Sequence, residues 1–94
     1  MMALRILLAD DEKDFVETLA ERLELRGHTV RVVFDGLAAL SAVTEEMPDV
    51  VVLDLLMPGL PGDEALHRLK AAQPDLPVIL LTGHEVVDDT GLSP

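Results

Sequence analysis

The sequence of 94 residues contains no cysteine, no tryptophan and no tyrosine, and only two phenylalanines, Phe15 and Phe34. Without cysteine, a disulfide framework, a thiolate metal site and a thiol nucleophile are all excluded, and a reducing compartment is the expected environment. Because aromatic residues are nearly absent, the core has to be built from leucine, valine, isoleucine, alanine and methionine. The length allows one domain at most, residues 1–94.

Positive charge is also scarce. Lysine and arginine together number 7 against 18 acidic residues, which gives a formal net charge of -11 at pH 7. This balance disfavours direct contact with nucleic acid or an anionic membrane, because phosphate groups are bound by clustered basic residues. The acids either form a solvated surface or gather in part into a cation site.

Long apolar runs are missing as well. The N-terminal run over residues 3–9 is interrupted by Arg5 and is far shorter than the roughly 20 residues that a membrane span requires. It does not have the pattern of a signal peptide either. We therefore expect a cytoplasmic protein that makes no membrane contact.

Short apolar runs and amphipathic segments alternate along the chain. The predicted strands cover residues 4–9, 29–33, 50–53 and 78–81. The predicted helices cover residues 13–26, 37–47 and 63–72, and the spacing in the second predicts a buried face of Leu37, Leu40, Val43 and Met47. This alternation favours right-handed crossovers and a parallel sheet with helices on both faces. The pattern weakens after Gly83, where residues 84–94 could start a short helix.

Polar side chains follow three of these strands where each strand ends. Asp10 and Asp11 follow the first strand, Asp54 follows the third, and Thr82 and Gly83 close the fourth. Because the carboxyl ends of parallel strands share one edge of the sheet, these side chains are predicted to emerge together. Each also has a plain structural alternative: an aspartate can cap the following helix or start a turn, and a threonine can simply end a strand.

Three carboxylates at one edge would repel one another, by up to about 4 kcal/mol per pair at 4 Å in an effective dielectric near 20. Either a retained proton or a hard divalent cation has to offset this repulsion, and Mg²⁺ prefers a few carboxylates, waters and a phosphate oxygen. Such an ion beside Asp54 would draw in a phosphoryl donor and leave the carboxylate as an in-line nucleophile. The arrangement favours phosphoryl transfer to Asp54.

Three stretches resemble the signature stretches of the receiver domain of bacterial two-component response regulators. They are LLADDE at 7–12, VVLDLLMPGLPG at 51–62 and VILLTG at 78–83. The resemblance implies a flavodoxin-like doubly wound α/β fold with strand order 2-1-3-4-5. It implies Mg²⁺-dependent acceptance of a phosphoryl group from a sensor histidine kinase, and no enzyme activity beyond slow self-phosphorylation and self-dephosphorylation.

The resemblance also implies a role for each residue of the site. Asp54 is the phospho-acceptor. Asp11 binds Mg²⁺ directly, Asp10 binds it chiefly through water, and the backbone carbonyl of Leu56 is a further ligand.

Four more residues acquire roles by the same resemblance. Thr82 turns its hydroxyl toward the phosphoryl group, and Gly83 keeps the backbone close to the phosphate. Pro58 and Gly62 shape the loop after the acceptor.

The chain departs from the family at its C-terminal end. We expect the fifth strand and fifth helix to be missing, together with a lysine that pairs with the phosphoryl group and an aromatic residue that moves with the threonine. Lys13 and Lys70 lie at the wrong places in the sequence, and His84 is a weak substitute. The fourth strand would then be an exposed edge and one sheet face would be bare, so a homo-oligomer, such as a homodimer, is expected through that edge or face.

Two other functions are open. A degenerate receiver would act as a protein-interaction or dimerisation module without phosphorylation, since loss of the lysine slows phosphoryl transfer. A hydrolase of the haloacid-dehalogenase type would also use an aspartyl-phosphate. Those enzymes carry a second acid two residues after the nucleophile, where this chain has Leu56.

Overall fold

The structure, a computed structural model, describes residues 3–57, 59–82 and 85–88, with the backbone alone for residues 82 and 85–88. The elements of this part of the chain are β1 (Arg5–Ala9), α1 (Lys13–Leu25), β2 (Thr29–Val33), α2 (Gly36–Glu45), β3 (Val50–Asp54), α3 (Gly62–Ala72), β4 (Val78–Thr82) and β5 (Glu85–Asp88). All seven elements predicted from the sequence are present, each within two residues of its predicted bounds. None of the described helices is long and apolar enough to cross a membrane.

The first four strands are parallel and have the order β2-β1-β3-β4, which confirms the predicted flavodoxin-like arrangement. The register places Ala9 between Val33 and Leu53. The ladder continues past β1, where the N–H of Asp10 donates to the carbonyl of Val33 at 3.1 Å. Because of this register, Phe34 after β2, Asp10 after β1 and Asp54 at the end of β3 lie side by side along one edge of the sheet.

The chain after β4 differs from the expectation. Residues 85–88 form β5, which pairs antiparallel with β4, so the prediction that this stretch starts a helix is wrong. The predicted exposed edge at β4 is wrong for the same reason, because β3 and β5 pair with its two sides. Val86 and Val87 are β-branched residues that favour a strand, and the pairing satisfies backbone groups of β4. The parallel fifth strand and the fifth helix of the family are not found among the described residues.

The core lies on both faces of the sheet. On one face, α1 buries Val16 and Ala20 against β1. On the other face, α2 and α3 bury mainly small residues and leucine, among them Ala39, Ala42, Ala65 and Leu69. The small side chains of Ala39 and Ala42 let α2 pack directly against the sheet.

The predicted inner face of α2 is only half right. Val43 is buried and Leu40 is partly buried against the core, whereas Leu37 is 57% exposed and Met47 is 44% exposed. Met47 lies beyond the end of α2 at Glu45, so the helical periodicity no longer applies to it. Leu37 lies in the first turn of α2. The contact of this helix with the core is made by buried residues further along it, such as Ala39 and Ala42.

The sheet face that carries α1 is incompletely covered. Val50 and Val52 of β3 lie on this face, beside Ile6 and Leu8 of β1, and Ile79 of β4 pairs with Val52. The side chains of Val50, Val52 and Ile79 are all only partly buried. An apolar strip of β3 and β4 therefore faces solvent beside α1.

Candidate cation and phosphoryl site

Three carboxylates meet at the carboxyl edge of the sheet. Asp10, Asp11 and Asp54 each offer one oxygen, and these oxygens all lie within 4.8 Å of one another. Asp10 is 1% exposed and Asp54 is 7% exposed, while Asp11 is open to solvent. The structure thus brings together the three acids that the sequence placed at two strand ends.

A hydrogen bond within the turn orients Asp10. Its Oδ1 accepts from the N–H of Glu12 at 2.8 Å, and Glu12 is the residue at the N-terminal cap of α1. This bond joins the end of β1 to the start of α1. The structural role of Asp10 and its place among the three carboxylates are therefore compatible, because ordering the turn also fixes the direction of the carboxylate.

Asp54 is held in the same way. Its Oδ1 accepts from the N–H of Leu56 at 3.0 Å, and the N–H of Leu55 donates to the carbonyl of Leu81 at 3.1 Å. Met57, which is 7% exposed, anchors the segment after Asp54 in the core. The backbone after the acid is thus fixed by β4 on one side and by a buried side chain on the other.

Gly62 contacts this segment from the first position of α3. A Cβ atom added to Gly62 would lie 2.3 Å from the Cα of Leu55 and 2.7 Å from its carbonyl oxygen. Real Cβ atoms do not approach backbone so closely, and hence α3 can pack directly on the residue after Asp54 only where its first residue lacks a side chain. This close approach is a steric reason for glycine at the position predicted to shape the loop.

The three carboxylates fit a hard divalent cation. Like charges at this separation, two of them buried, repel each other by roughly 3 kcal/mol per pair in an effective dielectric near 20, less where Asp11 is solvated. The donor set consists of oxygens alone, which Mg²⁺ prefers over nitrogen or sulfur. The arrangement therefore favours a bound cation and, beside it, an anionic ligand that supplies further oxygen ligands.

The other predicted site residues are placed less completely. Leu56 lies beside Asp54, and its side chain is 73% exposed. Thr82 ends β4 one residue beyond Leu81, which pairs with Asp54, so its backbone reaches the same edge, but its side chain is not described. Pro58, Gly83 and His84 lie outside the described residues.

The sequence did not predict Lys13 as part of this site, although it lies two residues after Asp11. Lys13 is the first residue of α1, and its Nζ lies 5.3 Å from the ring centroid of Phe34, which directly follows β2. The resemblance gives Lys13 no role, because its position in the sequence does not match that of the family's lysine. The available signal was its closeness along the chain to Asp10 and Asp11.

The sequence profile of the response regulator receiver domain matches residues 6–91. The chain belongs to the response regulator receiver domain family. This membership confirms the resemblance carried by the three signature stretches.

Two curated mycobacterial proteins are similar to this chain over most of its length. The response regulator MprA of Mycobacterium ulcerans is 38% identical over 88 residues, which are 94% of this chain. The probable transcriptional regulatory protein TcrX of Mycobacterium tuberculosis is 38% identical over 84 residues, or 89% of this chain. The chain covers only 38% of the length of MprA and 36% of the length of TcrX.

A solved response regulator structure agrees in fold. The response regulator TrrA of Thermotoga maritima, crystallised in complex with Mg²⁺-BeF, matches with a TM-score of 0.81 and 35% sequence identity. The match covers 87% of this receiver domain and 70% of the TrrA chain. The two chains therefore share the same fold over most of the receiver domain.

Proposed function

We propose that this receiver domain, residues 1–94, accepts a phosphoryl group on Asp54 from a sensor histidine kinase in a Mg²⁺-dependent reaction. The observation that carries the proposal is the convergence of three carboxylate oxygens within 4.8 Å at the carboxyl edge of a receiver-domain sheet. The complex of the related TrrA with Mg²⁺-BeF supports it. Phosphorylation would then switch the interactions of the domain with its output partner.

Four groups of the chain would hold the cation. Asp11 and Asp54 would bind Mg²⁺ directly, Asp10 chiefly through water, and the backbone carbonyl of Leu56 would be a further ligand. When bound, the ion supplies positive charge at the oxygens of the transferring group. The N–H groups of Glu12 and Leu56 hold the carboxylates of Asp10 and Asp54 in place for this role.

Asp54 performs the chemical step. A carboxylate oxygen attacks the phosphorus of phosphohistidine, the P–N bond breaks, and the ring nitrogen leaves with the electron pair. The leaving group becomes neutral imidazole by taking up one proton from solvent, and an acyl phosphate forms on Asp54. The hydrogen bond from Leu56 to Oδ1 orients the carboxylate before the attack. Thr82 would turn its hydroxyl toward the new phosphoryl group, Gly83 would keep the backbone close to the phosphate, and Pro58 would help to shape the loop.

The output of the phosphorylated domain and its location in the cell stay predictions. The excess of acidic residues disfavours direct nucleic-acid contact by this domain, so an output on DNA would need another part of a regulator or a partner protein. A cytoplasmic location and the absence of enzyme activity beyond slow self-modification are likewise predicted from the sequence and the family.

The direct test is intact-mass spectrometry after incubation with acetyl phosphate. We expect the wild-type domain to gain one phosphoryl group in the presence of Mg²⁺ and none when the cation is chelated. A domain that gains no phosphoryl group from acetyl phosphate or from any phosphorylated histidine kinase would contradict the proposal.

The cation site is tested separately by a magnesium titration followed by NMR. Amide signals of residues 10–12 and 54–56 should shift on binding. Asp11→Asn should weaken the Mg²⁺ affinity at least about tenfold, because substitution of residues that only support the direct ligands of a metal already lowers its affinity by about that factor. Asp75→Asn is the matched control, because it removes one exposed carboxylate from the loop before β4 at the opposite edge of the sheet. Equal affinities for the two variants would exclude the site.

We further propose that two copies pack together through the partly exposed strip of Val50, Val52 and Ile79. The same apolar face on both chains gives a self-complementary contact with two-fold symmetry, and it covers surface that a single copy leaves to water. Light scattering should show a dimer at micromolar concentration, and Val52→Lys should convert it to a folded monomer. A well-folded wild-type monomer under these conditions would rule out this dimer.

A further inference from the structure

We propose that Lys13 is a further phosphate-binding residue of this site. In the structure its ammonium group lies over the ring of Phe34. When Asp54 is phosphorylated, the side chain rotates and the ammonium group binds an oxygen of the phosphoryl group. This inference rests on the proposed function, since it requires a phosphoryl group on Asp54.

The sheet register brings Lys13 to the correct edge. Phe34, Asp10 and Asp54 follow residues that are directly paired in neighbouring strands, so they lie in this order along the carboxyl edge. Neighbouring strands are about 4.8 Å apart, which puts the backbones of Phe34 and Asp54 roughly 10 Å from each other. Lys13 starts α1 two residues after Asp11, and its flexible four-carbon stem can serve either position.

The contact with Phe34 is suited to a resting position. Lys13 is exposed and Phe34 is 38% exposed, and a cation–π contact at a solvated site is weak enough to be given up for a stronger ion pair. In this contact the ammonium group lies 5.3 Å from the ring centroid of Phe34, next to Asp10 along the edge of the sheet in backbone order. The structure therefore places a positive charge at the carboxyl edge of the sheet on Phe34, which leaves the carboxylate oxygens to a divalent cation.

Charge balance supplies the reason for the movement. Conversion of the Asp54 carboxylate to an acyl phosphate changes its charge from one negative unit to about two, which raises the total of the three acids from three to about four. A divalent cation offsets two of these charges. The remaining excess, next to the buried Asp10, attracts the nearby ammonium group, which is a compact point charge with three donors.

The movement can be observed by NMR with beryllium fluoride as the phosphoryl mimic. In the free domain the ring of Phe34 should shift the Lys13 Hε signals upfield, and Phe34→Leu should remove this shift. Addition of beryllium fluoride and Mg²⁺ should return the Lys13 signals of the wild-type domain toward those of the Phe34→Leu variant. Lys13 signals that do not respond while those of Asp54 do would overturn the inference.

Affinity measurements give the second readout. At saturating Mg²⁺, Lys13→Met should bind beryllium fluoride about fivefold more weakly than wild type, as expected when one ion pair at an exposed site is lost. Lys13→Arg should stay near wild type, because it keeps the charge. Arg26→Met makes the same charge change at the C-terminal end of α1 and should bind like wild type.

The controls separate the two proposals. Mg²⁺ alone should bind Lys13→Met at least as tightly as it binds the wild-type domain, because a nearby positive charge has been removed. Equal beryllium fluoride affinities for Lys13→Met and Arg26→Met would overturn the role of Lys13, while phosphorylation of the wild-type domain would still support the proposed function. A wild-type domain that binds neither Mg²⁺ nor beryllium fluoride would overturn both.

Discussion

Asp54→Asn is expected to abolish the gain of a phosphoryl group from acetyl phosphate while leaving the fold intact. An amide nitrogen or oxygen cannot replace the carboxylate as nucleophile. Asparagine keeps the size of the side chain and an acceptor oxygen, so the hydrogen bond from the N–H of Leu56, 3.0 Å in the structure, can persist. Intact-mass spectrometry of the treated variant measures the loss.

The same variant should be more stable than wild type when divalent cations are chelated. Removing one of three adjacent carboxylates relieves repulsion, and a gain of about 1 kcal/mol in the free energy of unfolding is expected after allowance for the solvated Asp11. Addition of Mg²⁺ should reverse the order, since the wild-type site binds the ion more tightly. Urea denaturation with and without Mg²⁺ tests both signs.

Asp75→Asn serves as the control for both measurements and should gain a phosphoryl group like wild type. A mass gain that survives in Asp54→Asn would place the acceptor elsewhere.

The two competing functions predict different results for this variant. An interaction module would bind its partner equally well with Asp54→Asn, and a hydrolase would turn over a phosphate ester in a reaction that depends on Asp54.

The acids could be predicted because the signals that place them are local. An apolar run of strand length ends at Ala9 or Leu53, an acid follows, and parallel strands bring their carboxyl ends to one edge. These rules place Asp10, Asp11 and Asp54 together without knowledge of any contact. The distances between their oxygens follow from the register of β1 with β3, which the apolar pattern does not specify.

The antiparallel β5 could not be predicted in the same way. Whether a short segment with two valines becomes a helix or a strand depends on whether an unpaired strand lies within reach, and that is a property of the tertiary structure. Sequence reasoning correctly identified β4 as a strand that needs a partner. It did not foresee that the next few residues would supply one.

The pairing of Lys13 with Phe34 shows a second limit. The two residues are brought together by the register of β1 with β2 and by the position of the first turn of α1, so no spacing rule connects them. The position of Lys13 also differs from that of the family's lysine, so the resemblance does not connect it with the site. The sequence signal that does connect Lys13 with the site is its closeness along the chain to Asp10 and Asp11.

Gly62→Ala is expected to reduce the free energy of unfolding by about 3 kcal/mol. This value is the upper end of the usual cost of adding a methyl or methylene group to a well-packed region of a protein. The added Cβ would lie 2.3 Å from the Cα of Leu55 and 2.8 Å from its carbonyl carbon. Backbone atoms have to move to relieve this overlap, and Leu55 is fixed by its hydrogen bond to Leu81. Denaturant unfolding measures the loss of stability.

Gly59→Ala provides a matched control in the same loop. Gly59 has a φ of 80°, and a Cβ atom there would meet nothing within 4 Å, so only the left-handed backbone is penalised, by about 1 kcal/mol. The steric explanation therefore requires Gly62→Ala to be the more destabilising of the two. It should also weaken the binding of Mg²⁺, because displacement of Leu55 moves the neighbouring Asp54 out of line with Asp10 and Asp11. A Gly62→Ala domain with a stability and Mg²⁺ affinity close to wild type would show that α3 does not hold the acceptor segment in place.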